Sequence, residues 1–218
     1  MPKPESASRT RVRRSPHKAS DDREQLFDLI DSSLVAHVGF IAAGSPVVIP
    51  MAFGRVGDKL LLHGSSASRL MGSLADGCEL AVSITELNAV VAARSTYESS
   101  MHYRSAVIFG RARLLKDDEK LAALRQISDA ILPGRSDEVR DSSSKELLAT
   151  LIVELPLDEF SLKISRGPVK DNRADLGQGV WAGIIPLVTT AAEPVPADAE
   201  AAGLDVPASV KEFRKRFS

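Results

Sequence analysis

Ser65, Ser66, Ser68 and Arg69 stand within five positions of one another, directly after the run Leu60-Leu61-Leu62-His63-Gly64. Hydroxyls and one forked cation at that spacing suit the binding of an anion. The apolar run has the length of a buried strand and is too short for a helix. Beyond the serines, Ala67, Leu70, Met71 and Leu74 recur at helical spacing, and Gly77 supplies a C-terminal stop. A strand that ends in serines and turns into a helix presents backbone N–H groups at the helix's positive end, which favours a phosphate. Arg69 would add a charge-assisted contact. The plainer alternative is that Ser66 caps a surface helix and binds nothing.

The elements that must hold this turn read as strands. Leu34, Ala36, Val38 and Phe40 alternate with Val35, His37, Gly39 and Ile41, bounded by Ala43-Gly44-Ser45. Pro46–Phe53 reads as one further strand, placed at a sheet edge or bulged by Pro50, which has no N–H to donate. Gly57-Asp58 turns the chain into the Leu60 strand. Tight turns between successive strands exclude a parallel, helix-crossed sheet. Leu80–Thr85 and Ala89–Ser95 follow as two strands. Tyr103–Leu115 is a long one, with Gly110 as its expected bulge. Leu148–Leu155 and Phe160–Ser165 complete the set. Helices are expected before Ser33, opened by Asp21 and Glu24, and after Asp117, where Leu121, Leu124, Ile127 and Ile131 share a face. The sum is a mainly β chain with short helices, an antiparallel barrel or sandwich of six to seven strands. With aromatics at 5 %, Leu, Ile and Val must fill its interior.

The 218 residues allow one large domain, and the net charge of −1 argues against a nucleic-acid partner. A single cysteine, Cys78, excludes an intramolecular disulfide and fits a cytoplasmic setting. No apolar run is long enough to span a membrane. Residues 1–20 are rich in Arg, Lys, Ser and Pro and are expected to form a flexible basic arm. Residues 191–218 are expected to be an irregular tail, and Val180–Leu187 is an apolar island that could cross a subunit boundary.

Seven segments carry a resemblance. They are A-H-V-G-F (36–40), V-V-I-P (47–50), L-H-G-S-S-A-S-R-L-M (62–71), A-R-S (93–95), M-H-Y-R-S-A-V-I-F-G-R-A-R (101–113), P-G-R (133–135) and W-A-G-I-I-P-L (181–187). In this order they resemble the pyridoxamine 5′-phosphate oxidase-related flavin-nucleotide-binding proteins with the FMN-binding split barrel. The resemblance implies a homodimeric split barrel over residues 21–190 with FMN where the subunits meet. It lays the backbone of the strand around Val48, Ile49, Pro50 and Met51 against the flavin ring and places His63 and Ser65 beside it. Ser66, Ser68 and Arg69 fall on the phosphate turn. Tyr103, Arg104 and Ser105 fall on a strand that reaches the cofactor, and Trp181 on an aromatic approaching from the partner chain. Arg104 would add a second cation. Arg94 is either paired inside or aimed into the cavity.

Residues 87–89 and 97–99 depart from the family's pattern on the substrate side, where relatives often show Asp-Gly and a pair of histidines. The cations that bind substrate phosphate in the true oxidase are also unrecognisable. Substrate and catalytic residues are therefore unassigned. The resemblance implies a flavin-dependent oxidoreductase of a small molecule. A non-catalytic flavin carrier or sensor is one alternative. A haem-binding split barrel, with His37, His63 or His102 on iron, is another.

Overall fold

The computed structural model describes residues 9–217. Two antiparallel sheets carry the chain. The first seven strands are β1 (Ala19–Ser20), β2 (Ala36–Ala42), β3 (Ser45–Met51), β4 (Phe53–Val56), β5 (Lys59–Ser65), β6 (Glu79–Ala92) and β7 (Ser100–Arg111). The last four are β8 (Arg113–Leu114), β9 (Thr150–Pro156), β10 (Phe160–Ser165) and β11 (Gly183–Pro186). The larger sheet runs β1-β10-β7-β6-β2-β3, with β11 added to the far half of β6. The smaller runs β4-β5-β9-β8. The helices are α1 (Arg23–Ser32), α2 (Arg69–Ala75), α3 (Asp117–Ile131), α4 (Ser144–Leu148), α5 (Ala199–Ala202) and α6 (Ala208–Arg216). Among the described residues no helix is long and apolar enough to cross a membrane.

Burial follows the strand period. In β2, Ala36, Val38 and Phe40 are buried while His37, Gly39 and Ile41 face the other way. The main core lies between the inner face of the larger sheet, the smaller sheet, α1 and α2. Leu26, Ile30, Val38, Leu60, Leu62, Ile84, Ile108 and Leu155 are among its fully enclosed members. A second core lies between the smaller sheet and α3, where Leu61, Leu115, Ala123, Ile127 and Ile152 meet.

Several expectations are corrected. Pro46–Phe53 is two strands: β3 ends at Met51 and β4 begins at Phe53 in the other sheet. The alternation continues across Ala52, so the sequence hides the corner. β3 is the sheet edge, which leaves Pro50's missing donor harmless. The two strands expected over 80–95 are one, β6, and the irregularity sits between Leu87 and Ala89 rather than at Gly110, whose pairing with Leu80 is regular. Asp22, not Asp21, caps α1, accepting from Glu24 N and Gln25 N. Of the face expected on α3, Ile127 is buried and Leu124 and Ile131 pack beside it, while Ala123 and Lys120 are buried where Leu121 is not.

The termini are more ordered than their composition suggests. β1 pairs with Lys163 and Leu162, so residues 19 and 20 of the expected flexible arm belong to the sheet. Residues 1–8 lie outside the described residues. The tail ends in α6, where Ser209 N and Oγ donate to Glu138 at 2.9 and 2.5 Å. Arg216 donates to Ala130 O at 3.1 Å and to Asp31 O. These bonds hold polar residues that hydropathy alone leaves loose. β11 pairs with Ala89–Ala92 of its own chain, so the island at 180–187 is a strand of this sheet.

Candidate functional site

Antiparallel partners share a face, so the register defines the outer surface of the larger sheet. His37 stands opposite Pro50, Gly39 opposite Val48, Ser83 opposite Val107, Thr85 opposite Ser105 and Leu87 opposite Tyr103. Past the bulge at Asn88 the same face carries Val90, Met101 and Ile185. Much of it meets solvent: Val48 is 63 % exposed, Met101 and Ile185 48 %, and Val90 42 %. Trp181, 67 % exposed, lies over Gly183, where a Cβ would come within 2.6 Å of its ring. The face is apolar and broken by small hydroxyl residues.

Four of the sequence candidates, Val48, Pro50, Tyr103 and Ser105, share this face, and Trp181 adjoins it. Ile49 and Met51 do not: they lie opposite buried Val38 and Ala36 and pack on the main core. The period of two forbids all four residues of 48–51 from meeting one ligand through side chains. His37 is exposed on the outer face, which its alternation with apolar neighbours disguised.

Arg104, expected as a second cation for the cofactor, has partners within the chain. It points inward, where Nη2 donates to Glu86 at 2.5 Å and to Ser32 Oγ at 3.0 Å. Burial alone would raise the Glu86 carboxyl. Hydrogen bonds from Arg104, Asn88 and Ser32 outweigh it and hold the group below its usual range. A depressed folded value contributes stability above the unfolded value, near 4.5, and that contribution fades as pH falls through the folded value. Glu86→Gln should therefore flatten the fall of Tm below pH 4.5, and a slope equal to wild type would refute the pairing.

The serine turn also differs from expectation. Ser66 N donates to Ala149 O at 2.8 Å, Ser68 N to Ser65 O at 2.9 Å and Ala67 N to Ser65 Oγ at 3.2 Å. Ser68, not Ser66, caps α2, accepting from Met71 N at 3.4 Å. These backbone donors are satisfied within the chain. What remains for a phosphate is the exposed Arg69 guanidinium, which makes no ion pair among the described residues, and the exposed Ser66.

His63 pairs across the ladder with Ile152, beside α3, so it shares no face with the outer-sheet residues. Its Nδ1 is buried without a hydrogen-bond partner, and burial lowers its pKa below 6.5, keeping the imidazole neutral near neutral pH. His37, His63 and His102 thus occupy three different surfaces. Arg94 is paired: its amide N and Nη1 donate to Asp171 at 2.7 and 2.5 Å.

A feature no sequence motif announced is a cleft of about 680 Å³ between residues 14–20, the start of β7 and the end of β10. Arg14, His17, Lys18, His102, Arg166 and Lys170 line it. Its cations are some 150 residues apart in sequence, and only the pairing of β1 with β10 joins them.

Comparison with known families matches residues 22–164 to the one described as pyridoxamine 5′-phosphate oxidase. The chain belongs to this family. Among solved structures, the FAD- and haem-binding protein from Mycobacterium smegmatis is 44 % identical with a TM-score of 0.88, over 90 % of this chain and 97 % of that one. The flavocytochrome Anf3 from Azotobacter vinelandii is 33 % identical with a TM-score of 0.90, over 96 % and 98 %. A putative 5-nitroimidazole antibiotic resistance protein from Bacteroides thetaiotaomicron, 21 % identical with a TM-score of 0.57 over 67 % and 86 %, shares the fold. A search of curated proteins finds no match.

Proposed function

We propose that two copies of this chain close over their outer sheet faces, bind a flavin nucleotide there and act as a flavin-dependent oxidoreductase on a small molecule. The carrying observation is the exposed face that gathers Val48, Pro50, Tyr103 and Ser105. Its apolar side chains suit a flat ring, and the hydroxyls of Ser83, Thr85, Ser105 and Tyr103 suit the ring's polar edge. The flavin, when bound, supplies the electron chemistry, and the protein orients it and excludes water. FAD is favoured over FMN, because the 44 %-identical Mycobacterium smegmatis protein is described as binding FAD.

The phosphate end rests on Arg69. Arg69→Ala should weaken flavin binding by about tenfold or more, the usual scale for a lost charge-assisted contact. An unchanged affinity in a fluorescence titration would remove Arg69 from the site.

Haem is a second cofactor in this reading. Both similar structures that span nearly the whole chain are described as haem- or cytochrome-type flavoproteins. In this chain the neutral imidazole of His63, whose buried Nδ1 has no hydrogen-bond partner among the described residues, fits an iron ligand. The absorption spectrum of freshly purified protein tests both cofactors. Flavin bands with a Soret band support the full reading, flavin alone supports the first part, and a colourless protein sinks it. Bleaching on adding a reductant such as a nicotinamide nucleotide separates an enzyme from a carrier.

A further inference from the structure

We propose that the basic cleft beside β7 and β10 binds a small molecule through a pyrophosphate or similar multiply charged phosphate group. Arg14, Lys18, Arg166 and Lys170 line it, and among the described residues Glu98 is the one acidic side chain in its lining. Among the described residues, Arg14, Arg166 and Lys170 make no ion pair. Among the described residues the Lys18 ammonium has neutral partners, Ser165 Oγ at 2.8 Å and the Tyr103 ring at 5.9 Å. This contrasts with the paired cations elsewhere: Arg55 with Asp31, Arg94 with Asp171, Arg113 with Glu119 and Glu154. Four cations gathered with the single carboxylate of Glu98 repel one another, and a bound anion is what relieves that.

The cleft is built rather than incidental. β1 fixes Lys18 by pairing Ala19 with Lys163. Asp171, whose side chain is 6 % exposed, ties the segment carrying Lys170 to the Arg94 amide and guanidinium. A volume of about 680 Å³ exceeds the need of a lone phosphate and suits a nucleotide-sized molecule. Val91, Met101 and Ile164 give such a molecule an apolar wall. As the reactant site of the proposed flavoprotein the assignment rests on that reading, whereas as an anion site it stands without it.

Isothermal titration of the purified protein with inorganic pyrophosphate tests it, and flavin absorbance of the same sample is read separately. Binding should be saturable, fall with added salt and exceed that of orthophosphate. It should weaken at least tenfold in Arg166→Gln and in Lys170→Gln, both exposed positions. It should be unchanged in Arg125→Gln, whose ion pairs lie elsewhere. No saturable binding, or equal affinity in the cleft variants, would overturn the proposal. So would a Soret band on adding haemin that His102→Ala abolishes and pyrophosphate does not displace, because the cleft would then be a haem site. Either failure leaves the flavin reading standing if the sample is yellow.

Discussion

Val90→Asp is expected to give a folded, monomeric and colourless protein. Val90 is 42 % exposed and stands between Met101 on β7 and Ile185 on β11, each 48 % exposed. In the isolated chain an aspartate there reaches water, so circular dichroism and Tm should change little. In a dimer closed over this face the carboxylate would lose its water. Burying an unpaired charge costs several kcal/mol, and a two-fold interface repeats the cost in each subunit. The dimer dissociation constant should rise by more than about a hundredfold, and the flavin held between the copies should go with it. Sedimentation at micromolar concentration with flavin absorbance decides the matter. A variant that stays dimeric and yellow would place the interface elsewhere.

What the sequence made legible was local. The β class, the turn at Ala43-Gly44 with both residues at positive φ, and the stop at Gly77 each follow from a few neighbouring residues. The family resemblance rested on such segments and held. What stayed hidden depends on separation in the chain. Arg104 is the clearest case: it is a cation next to Tyr103 and Ser105 in sequence, yet the period of two sends it to the opposite face, where Glu86 and Ser32 hold it. The serine turn differs for the opposite reason, a short-range one. Its own hydroxyls and Ala149 O satisfy the donors that a local reading leaves free for phosphate. Corners escape too, because the corner at Ala52 interrupts pairing without interrupting alternation. The basic cleft could not be found at all before β1 was placed beside β10.

Gly54→Val is expected to damage the fold severely. Gly54 sits in β4 opposite Leu61, on the side covered by α3. A Cβ there would stand 3.1 Å from the Cα of Ile127 and 3.3 Å from the Cβ of Ala130. A helix backbone cannot turn aside as a flexible side chain can, so valine's two methyls must push α3 off the smaller sheet. The Gly64 position is different: the atom in its way is the Met71 Cγ at 2.8 Å, on a side chain that can change rotamer. Overpacking a dense interior costs about 1–3 kcal/mol and more where the neighbour is rigid. Gly54→Val should therefore lose about 3 kcal/mol or more in urea unfolding, opening first the cluster of Ile127, Ala123, Leu115 and Ile152. Hydrogen exchange should show α3 unprotected while β6 and β7 remain slow. Wild-type stability in this variant would mean that α3 is free to stand further from β4, and the second core would be looser than its contacts imply.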